Sequence, residues 1–303
     1  MAENSKMSQF WDESVAQSGH TGYGEAILHR YDQPVRLATV RRIIRKLFPD
    51  GLRGRAVLDI GCGTGDFMAL SLGQGAVSVD GVDVSPQVLA KATSRFTADA
   101  RVRLRQGTVI EQVSEQGCYD LITSITVLQH HVEDVELIQV LWALRDALKP
   151  DGSIIVLELA PPHEVENRQY NRGVQYLVER PPQAWHSAFS AAGLRVISEP
   201  VMPQLGITCL RAVTWMIGLV SKSKTSTTAD KNQGLVTEGS LTEQQEQPLS
   251  LKRRTLRTSF QWARRFTLWV CYPLDHWLGL PLPPPRFRTY RIFVLVKADV
   301  KSP

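Results

Sequence analysis

The chain has 303 residues, 43% hydrophobic and 21% charged, an ordinary globular composition with enough apolar material for a full core. Its formal net charge of +5 is too small to indicate nucleic acid without a localised patch. The cysteines Cys62, Cys118, Cys209 and Cys271 lie far apart with no CxxC pair, so a disulfide framework and a zinc site are not expected, no metal is assigned, and a reducing cytoplasm fits.

The N-terminus, MAENSKMSQFWDES, is polar and acidic, without the layout of a secretory signal. Residues 1–50 read as a helical prelude: a polar, Gly-bearing stretch, then a helix from about Pro34 to Phe48, where Leu37, Val40, Ile44 and Leu47 recur at helical spacing. Arg36, Arg41, Arg42, Arg45 and Lys46 interleave as a solvated face, with anion binding as the sharper alternative. Strands and helices then alternate. AVLDIG, AVSVDGVD, RVRLRQG, YDLITSIT and SIIVLELA read as five strands, the third nearer an edge because it is less apolar. SPQVLAKATSRF and VEDVELIQVLWALRDALKP read as helices, the second ended by Pro150 and Gly152. PQAWHSAFSAA is a further helix, LRVIS a sixth strand and RTYRIFVLVKA a last one. This alternation predicts a parallel sheet with helices on both faces and right-handed crossovers. Residues 221–250 are polar and low in aromatics, which predicts disorder. Leu205 to Val220 comes nearest to a membrane span, but Arg211 interrupts it, so none is expected.

VLDIGCGTGDF, Val57 to Phe67, carries the strongest chemical signal: a buried strand runs into Gly61, Gly63 and Gly65. A side chain there would strike a ligand lying across the strand end, and the tight turn calls for positive φ. The spacing is GxGxG, with Asp66 where the dinucleotide fingerprint has its third glycine, which favours a nucleoside ligand without a pyrophosphate. Asp83, at the tip of the second strand, is placed to accept both ribose hydroxyls. Asp80 competes, but it sits inside the strand and is read as a turn or edge residue.

These strings resemble the class I S-adenosylmethionine-dependent methyltransferases, especially the small-molecule branch. VLDIGCGTG matches that family's first motif, GVDVS its acidic second-strand motif, YDLITSITVLQHHVED the fourth-strand region and LRDALKPDGSIIVLEL the fifth. The resemblance implies a Rossmann-like α/β fold, a seven-stranded, mostly parallel sheet in the order 3-2-1-4-5-7-6 with the last strand antiparallel. It implies S-adenosylmethionine as cofactor, held by Asp59, Gly61, Cys62, Gly63, Gly65, Asp83, Val84, Thr108, Val109 and Ile125. Asp59 and the glycine loop would lie near the methionine moiety and Val84 beside adenine. After the third strand the family often has an acidic residue for the adenine amino group. Here Gln106-Gly107-Thr108-Val109 stands instead, so the Thr108 hydroxyl or backbone groups would serve.

VLQH aligns His130 with a position where the family often places a histidine near substrate, and an imidazole can accept a proton at neutral pH. His130 is the first candidate base and His131 the second; the alternative is a histidine that merely starts the following helix. An Asn/Asp-Pro-Pro-aromatic motif is absent after the fourth strand, where Ser124-Ile125-Thr126-Val127 stands, which disfavours exocyclic amino groups as acceptors.

The predicted organisation is an N-terminal helical cap (1–50), a Rossmann-like methyltransferase core (51–200), a cap insertion (201–286) and a last core strand with tail (287–303). The insertion leaves from the ligand-binding end of the sheet and carries Trp215, Trp262, Trp269, Trp277, Phe260 and Phe266 among Lys252, Arg253, Arg254, Arg257, Arg264 and Arg265. Its plain reading is core helices with a solvated charged face. Its sharper reading is an interfacial surface for anionic lipid or a lipid-linked glycan, which would put a cytoplasmic protein peripherally at the inner face of a membrane. The expected function is methyl transfer to a small-molecule hydroxyl, on a sugar, a lipid-linked glycan or a secondary metabolite, with no nucleic-acid partner. The alternatives are a protein or RNA methyltransferase and a non-catalytic cofactor-binding module.

Overall fold

The computed structural model describes residues 2–19, 26–114, 116–162, 167–170, 176–206, 208–209, 265–278 and 290–298. The segment 221–250, His20, Tyr23 and most of the 201–286 insertion, including Trp215 and Trp262, lie outside the described residues.

Apolar residues on both faces of successive strands dictate the architecture. The strands β1 (Ala56–Ile60), β2 (Ser78–Asp83), β3 (Val102–Gln106), β4 (Tyr119–Ile125), β5 (Leu148–Leu159), β8 (Leu194–Ser198) and β9 (Tyr290–Lys297) form one sheet, ordered β3-β2-β1-β4-β5-β9-β8. The first five are parallel, and β9 runs antiparallel between β5 and β8. With a separate hairpin of β6 (Asn167–Tyr170) and β7 (Tyr176–Glu179) set aside, this is the 3-2-1-4-5-7-6 order that the family resemblance implies.

Alternation along the strands sorts the core into two layers. Val57, Leu121, Ile155, Leu157, Ile292 and Val294 face one side, against α2 (Ala26–Leu47) and α3 (Asp66–Gly73). Leu58, Ile60, Ile122, Ile154, Val156, Phe293 and Leu295 face the other, against α6 (Asp134–Ala147) and α7 (Pro182–Ala191). Leu89 of α4 (Pro86–Arg95), N-capped by Ser85, joins the first layer, and Val109 of the one-turn α5 (Val109–Gln112) joins the second. No described helix is long and apolar enough to cross a membrane.

Two readings need correction. The first long helix begins at Ala26 and carries Pro34 inside it, eight residues before its expected start. Before it, within the helical prelude expected over residues 1–50, lies α1 (Ala2–Ser18). Its helicity rests on docking: Asp12 Oδ1 accepts from Ser85 Oγ at 2.5 Å and from the Gln87 amide at 3.2 Å, and Lys91 Nζ donates to the carbonyls of Val15 and Gly19. Asp80, read as a turn or edge residue, is fully buried. It accepts from Arg103 Nε at 2.9 Å and Nη2 at 2.7 Å, from Arg105 Nη2 at 3.0 Å and from Tyr119 Oη at 2.6 Å. Removing one partner of a buried pair leaves the others uncompensated. Asp80→Ala should therefore lower unfolding stability by about 3 kcal/mol in urea titration; a loss below about 1 kcal/mol would show that solvent at Arg103 already screens the pair.

Candidate cofactor cleft

A cleft of about 1070 Å3, part of it open to solvent, lies at the carboxyl ends of β1, β2 and β4. Ligands bind at this end of parallel sheets because successive turns there leave backbone groups and space exposed. Among the sequence-predicted residues, Gly61, Asp83, Val84, Thr108, Val109, Ile125, His130 and His131 line it; Asp59, Cys62, Gly63 and Gly65 do not. Met7, Trp11, Thr126, Val127 and Glu136 also line it, and the sequence reading missed them.

The turn after β1 holds Gly61, Gly63 and Gly65 at φ of 57°, 56° and 83°, as the sequence requires. The close approach that demands glycine is to the chain itself. A Cβ on Gly61 would stand 2.3 Å from Val127 Cγ2, and one on Gly65 2.4 Å from Phe96 Cε2. Asp83 pins this turn to β2: Oδ2 accepts from the Gly63 amide at 2.9 Å and Oδ1 from the Ser85 amide at 3.0 Å. Burial pushes the Asp83 pKa up, and these amides pull the other way.

Asp59 lies behind the turn, 2% exposed, with Oδ1 accepting from Thr123 Oγ1 at 2.6 Å. Its Oδ2 is buried with no hydrogen-bond partner. Burial raises its pKa to about 7, with Asp83 and Asp66 adding to the rise and Thr123 opposing it. An unpartnered buried carboxylate oxygen is costly unless something cationic or hydrogen-bond donating meets it. The Cys62 thiol is buried beside it and held protonated, chiefly by desolvation.

The β3 side departs from the expected adenine contact. Thr108 is the N-cap of a capping box: its hydroxyl accepts from the Glu111 amide at 3.3 Å, and its own amide donates to Glu111 Oε2 at 3.0 Å. The Thr108 amide is therefore spent on the cap, and Val109, at the first position of α5, presents the next amide in the cleft wall.

The opposite wall is a strained turn after β4. Thr126 has φ 60°, and its hydroxyl donates to the Ile125 carbonyl and accepts from Arg36 Nη1 at 3.4 Å. A threonine persists there only if its surroundings over-determine it. Glu158, fully buried at the end of β5, does so by accepting from the amides of Val127 at 3.0 Å, Leu128 at 2.8 Å and Gln129 at 3.1 Å. Burial raises its pKa to about 8 against the pull of those amides. The turn delivers both histidines. His130 meets Trp11 of α1 edge to face at 5.4 Å, and its Nε2 lies 3.4 Å from Gln129 Nε2. His131 Nδ1 lies 3.0 Å from Glu136 Oε1, and this contact lowers the Glu136 pKa. The carbonyl of His131 accepts from the buried Arg180 at 3.0 Å. His131 thus has a carboxylate partner of the kind that orients an imidazole.

Residues 57–152 match the model of a methyltransferase domain family. Over 107 residues the chain is 36% identical to a tRNA U34 carboxymethyltransferase of Pseudoalteromonas atlantica, covering 35% of this chain and 32% of that protein. It is 31% identical over 129 residues to a ubiquinone biosynthesis O-methyltransferase of Idiomarina loihiensis, covering 42% and 49%. A solved S-adenosylmethionine-dependent methyltransferase of Leishmania major has the same fold, with a TM-score of 0.54 at 20% identity over 65% of this chain and 75% of that one. The chain thus spans about a third to a half of the length of these curated relatives. The expectation that nucleic acid plays no part is overturned, because relatives named for tRNA modification stand among the matches. Net charge averages over the molecule and so is blind to where cations cluster. Strand order, glycine turn and the matched residues 57–152 agree on a methyltransferase domain of Rossmann-like fold.

Proposed function

We propose that the chain is an enzyme that transfers the methyl group of S-adenosylmethionine to an RNA acceptor in this cleft. The observation that carries the cofactor reading is the lone buried Asp59 Oδ2 behind a side-chain-free turn. A carboxylate in that position suits a ligand bearing an ammonium and a sulfonium. The RNA reading is supported by the relatives named for tRNA U34.

The bound cofactor supplies an electrophilic methyl on its sulfonium. Asp83, held by two amides, keeps lone pairs toward the cleft for the ribose hydroxyls. Val84, Ile125 and Val127 form the apolar walls for the base, and the Val109 amide takes the donor role there. Trp11 and Met7 of α1 close over these walls and exclude water. Glu136 orients His131 by accepting from Nδ1–H, which leaves Nε2 free to take the acceptor's proton. His130, against Trp11, shapes the mouth. A second reading, a small-molecule hydroxyl acceptor, draws on the ubiquinone O-methyltransferase relative.

Asp59 loses its proton as pH rises through about 7, so its negative charge is present above that value. Calorimetric affinity for S-adenosylmethionine should rise from pH 6 to 8 and then level off. Asp59→Asn should bind at least about tenfold more weakly, with a flat profile. A wild-type affinity independent of pH would remove Asp59 from the cofactor site.

With methyl-tritiated cofactor, bulk tRNA should take up label. His131→Ala should slow transfer by about 100- to 10,000-fold and Glu136→Gln by less, with cofactor affinity within about threefold of wild type. Label entering only a hydroquinone acceptor would favour the second reading. Cofactor binding without label in either acceptor would point to a binding module.

A further inference from the structure

We propose that the outer face of α2 and of the segment 265–278 is a docking surface for single-stranded or looped RNA, placed to feed the cleft; this rests on the RNA reading above. The rings come first. Phe266, Trp269 and Trp277 are 64%, 74% and 73% exposed, and the first two lie 6.3 Å apart, centroid to centroid. Large aromatic side chains left in water at this density mark an interaction surface.

Charge selects the partner. Arg41, Arg42, Arg45 and Lys46 of α2 and Arg265 are all exposed. The only acidic residues of the two elements are Asp32 and Asp275, and both are buried. Asp32 pairs with Arg36 one turn along α2. Asp275 accepts from Tyr31 Oη at 2.5 Å and from the amides of Leu205 at 3.2 Å and Gly206 at 2.9 Å. The exposed charge of these two elements is therefore wholly positive, complementary to a polyanion.

Rings and cations also adjoin. Arg42 Nη2 donates to the carbonyls of His276 and Trp277, the latter at 3.1 Å, so a guanidinium is fixed to the backbone of the residue that carries an exposed indole. Burial lowers the His276 pKa, and the charges of Arg42 and Arg41 push it the same way, which places both arginines near that segment. Bases stacking on rings while cations hold the phosphates is the single-strand mode. Exposed rings flanked by the cations of α2 suit a polyanion that stacks, and the vesicle arm of the test separates it from an anionic lipid surface. The same helix reaches the cleft, because Arg36 contacts Thr126 in its wall, six residues or about 9 Å along α2 from Arg42. A polymer on this face can present a neighbouring nucleotide to the site.

The test uses the full chain, a fluorescein-labelled 20-nucleotide oligouridylate, bulk tRNA and phosphatidylglycerol vesicles. Wild type should bind both RNAs, more weakly as salt rises. Trp269→Ala and Trp277→Ala should each weaken binding about 5- to 100-fold. Arg41→Glu with Arg45→Glu should weaken it at least tenfold and reduce the slope of log K against log salt by about 1.4. Calorimetry should show unchanged S-adenosylmethionine binding in every variant, reporting an intact fold. The proposal is overturned if wild type binds neither RNA at low salt, or if the variants bind RNA as wild type does. Tryptophan variants that lose vesicle binding while keeping RNA binding would also overturn it. RNA binding at this face without label transfer to tRNA would sink the acceptor reading alone; labelled tRNA with unaffected face variants would sink the docking surface alone.

Discussion

Carboxylates at the ends of parallel strands hold this site together. Each strand of such a sheet ends in a turn whose amides have left the ladder and need new acceptors. Asp83 at the end of β2 takes the amides of Gly63 and Ser85, binding the glycine turn of β1 to the start of α4. Glu158 at the end of β5 takes three consecutive amides of the turn after β4. The two facing walls of the cleft are thus each fixed by a side chain from the neighbouring strand. That is why a threonine can be kept at positive φ between them.

The same arrangement sets the electrostatics. Asp59 and Glu158 are buried and their pKa values lie near 7 and 8, because desolvation outweighs the hydrogen bonds they accept. The Glu158 amides already satisfy that carboxylate, whereas Asp59 has one oxygen spare. Acidic groups buried behind the cleft walls, one of them incompletely met, suit a cationic nucleoside. The mildly positive surface around α2 carries the opposite sign. Cofactor and acceptor can therefore be selected by separate fields, one inside the cleft and one outside it.

Helix α1 shows how far function can depend on a segment with weak local signals. Its polar face is addressed to α4 through Asp12 and Lys91, and Trp11 is carried over the cleft to His130. Without α4 in place there is little to make this stretch helical, since its apolar residues form no continuous stripe.

The sequence by itself determined the strands, the glycine turn and the Asp83 position, while the strand order came only with the resemblance to a methyltransferase family. Those features are local: period-2 apolar runs, a GxGxG string after a strand, an acid at the next strand's tip. The single charge of Glu158 inside the apolar run SIIVLELA was legible too, and only its three amide partners were not. Tertiary structure alone decided that Asp80 gathers two arginines and a tyrosine and that Glu136 meets His131. It also decided that Trp11 lines the cleft and that exposed rings of the late segment stand beside the arginines of α2. Such pairings join residues far apart in the chain or on different elements, and periodicity carries no information about which distant groups packing will bring within 3 Å.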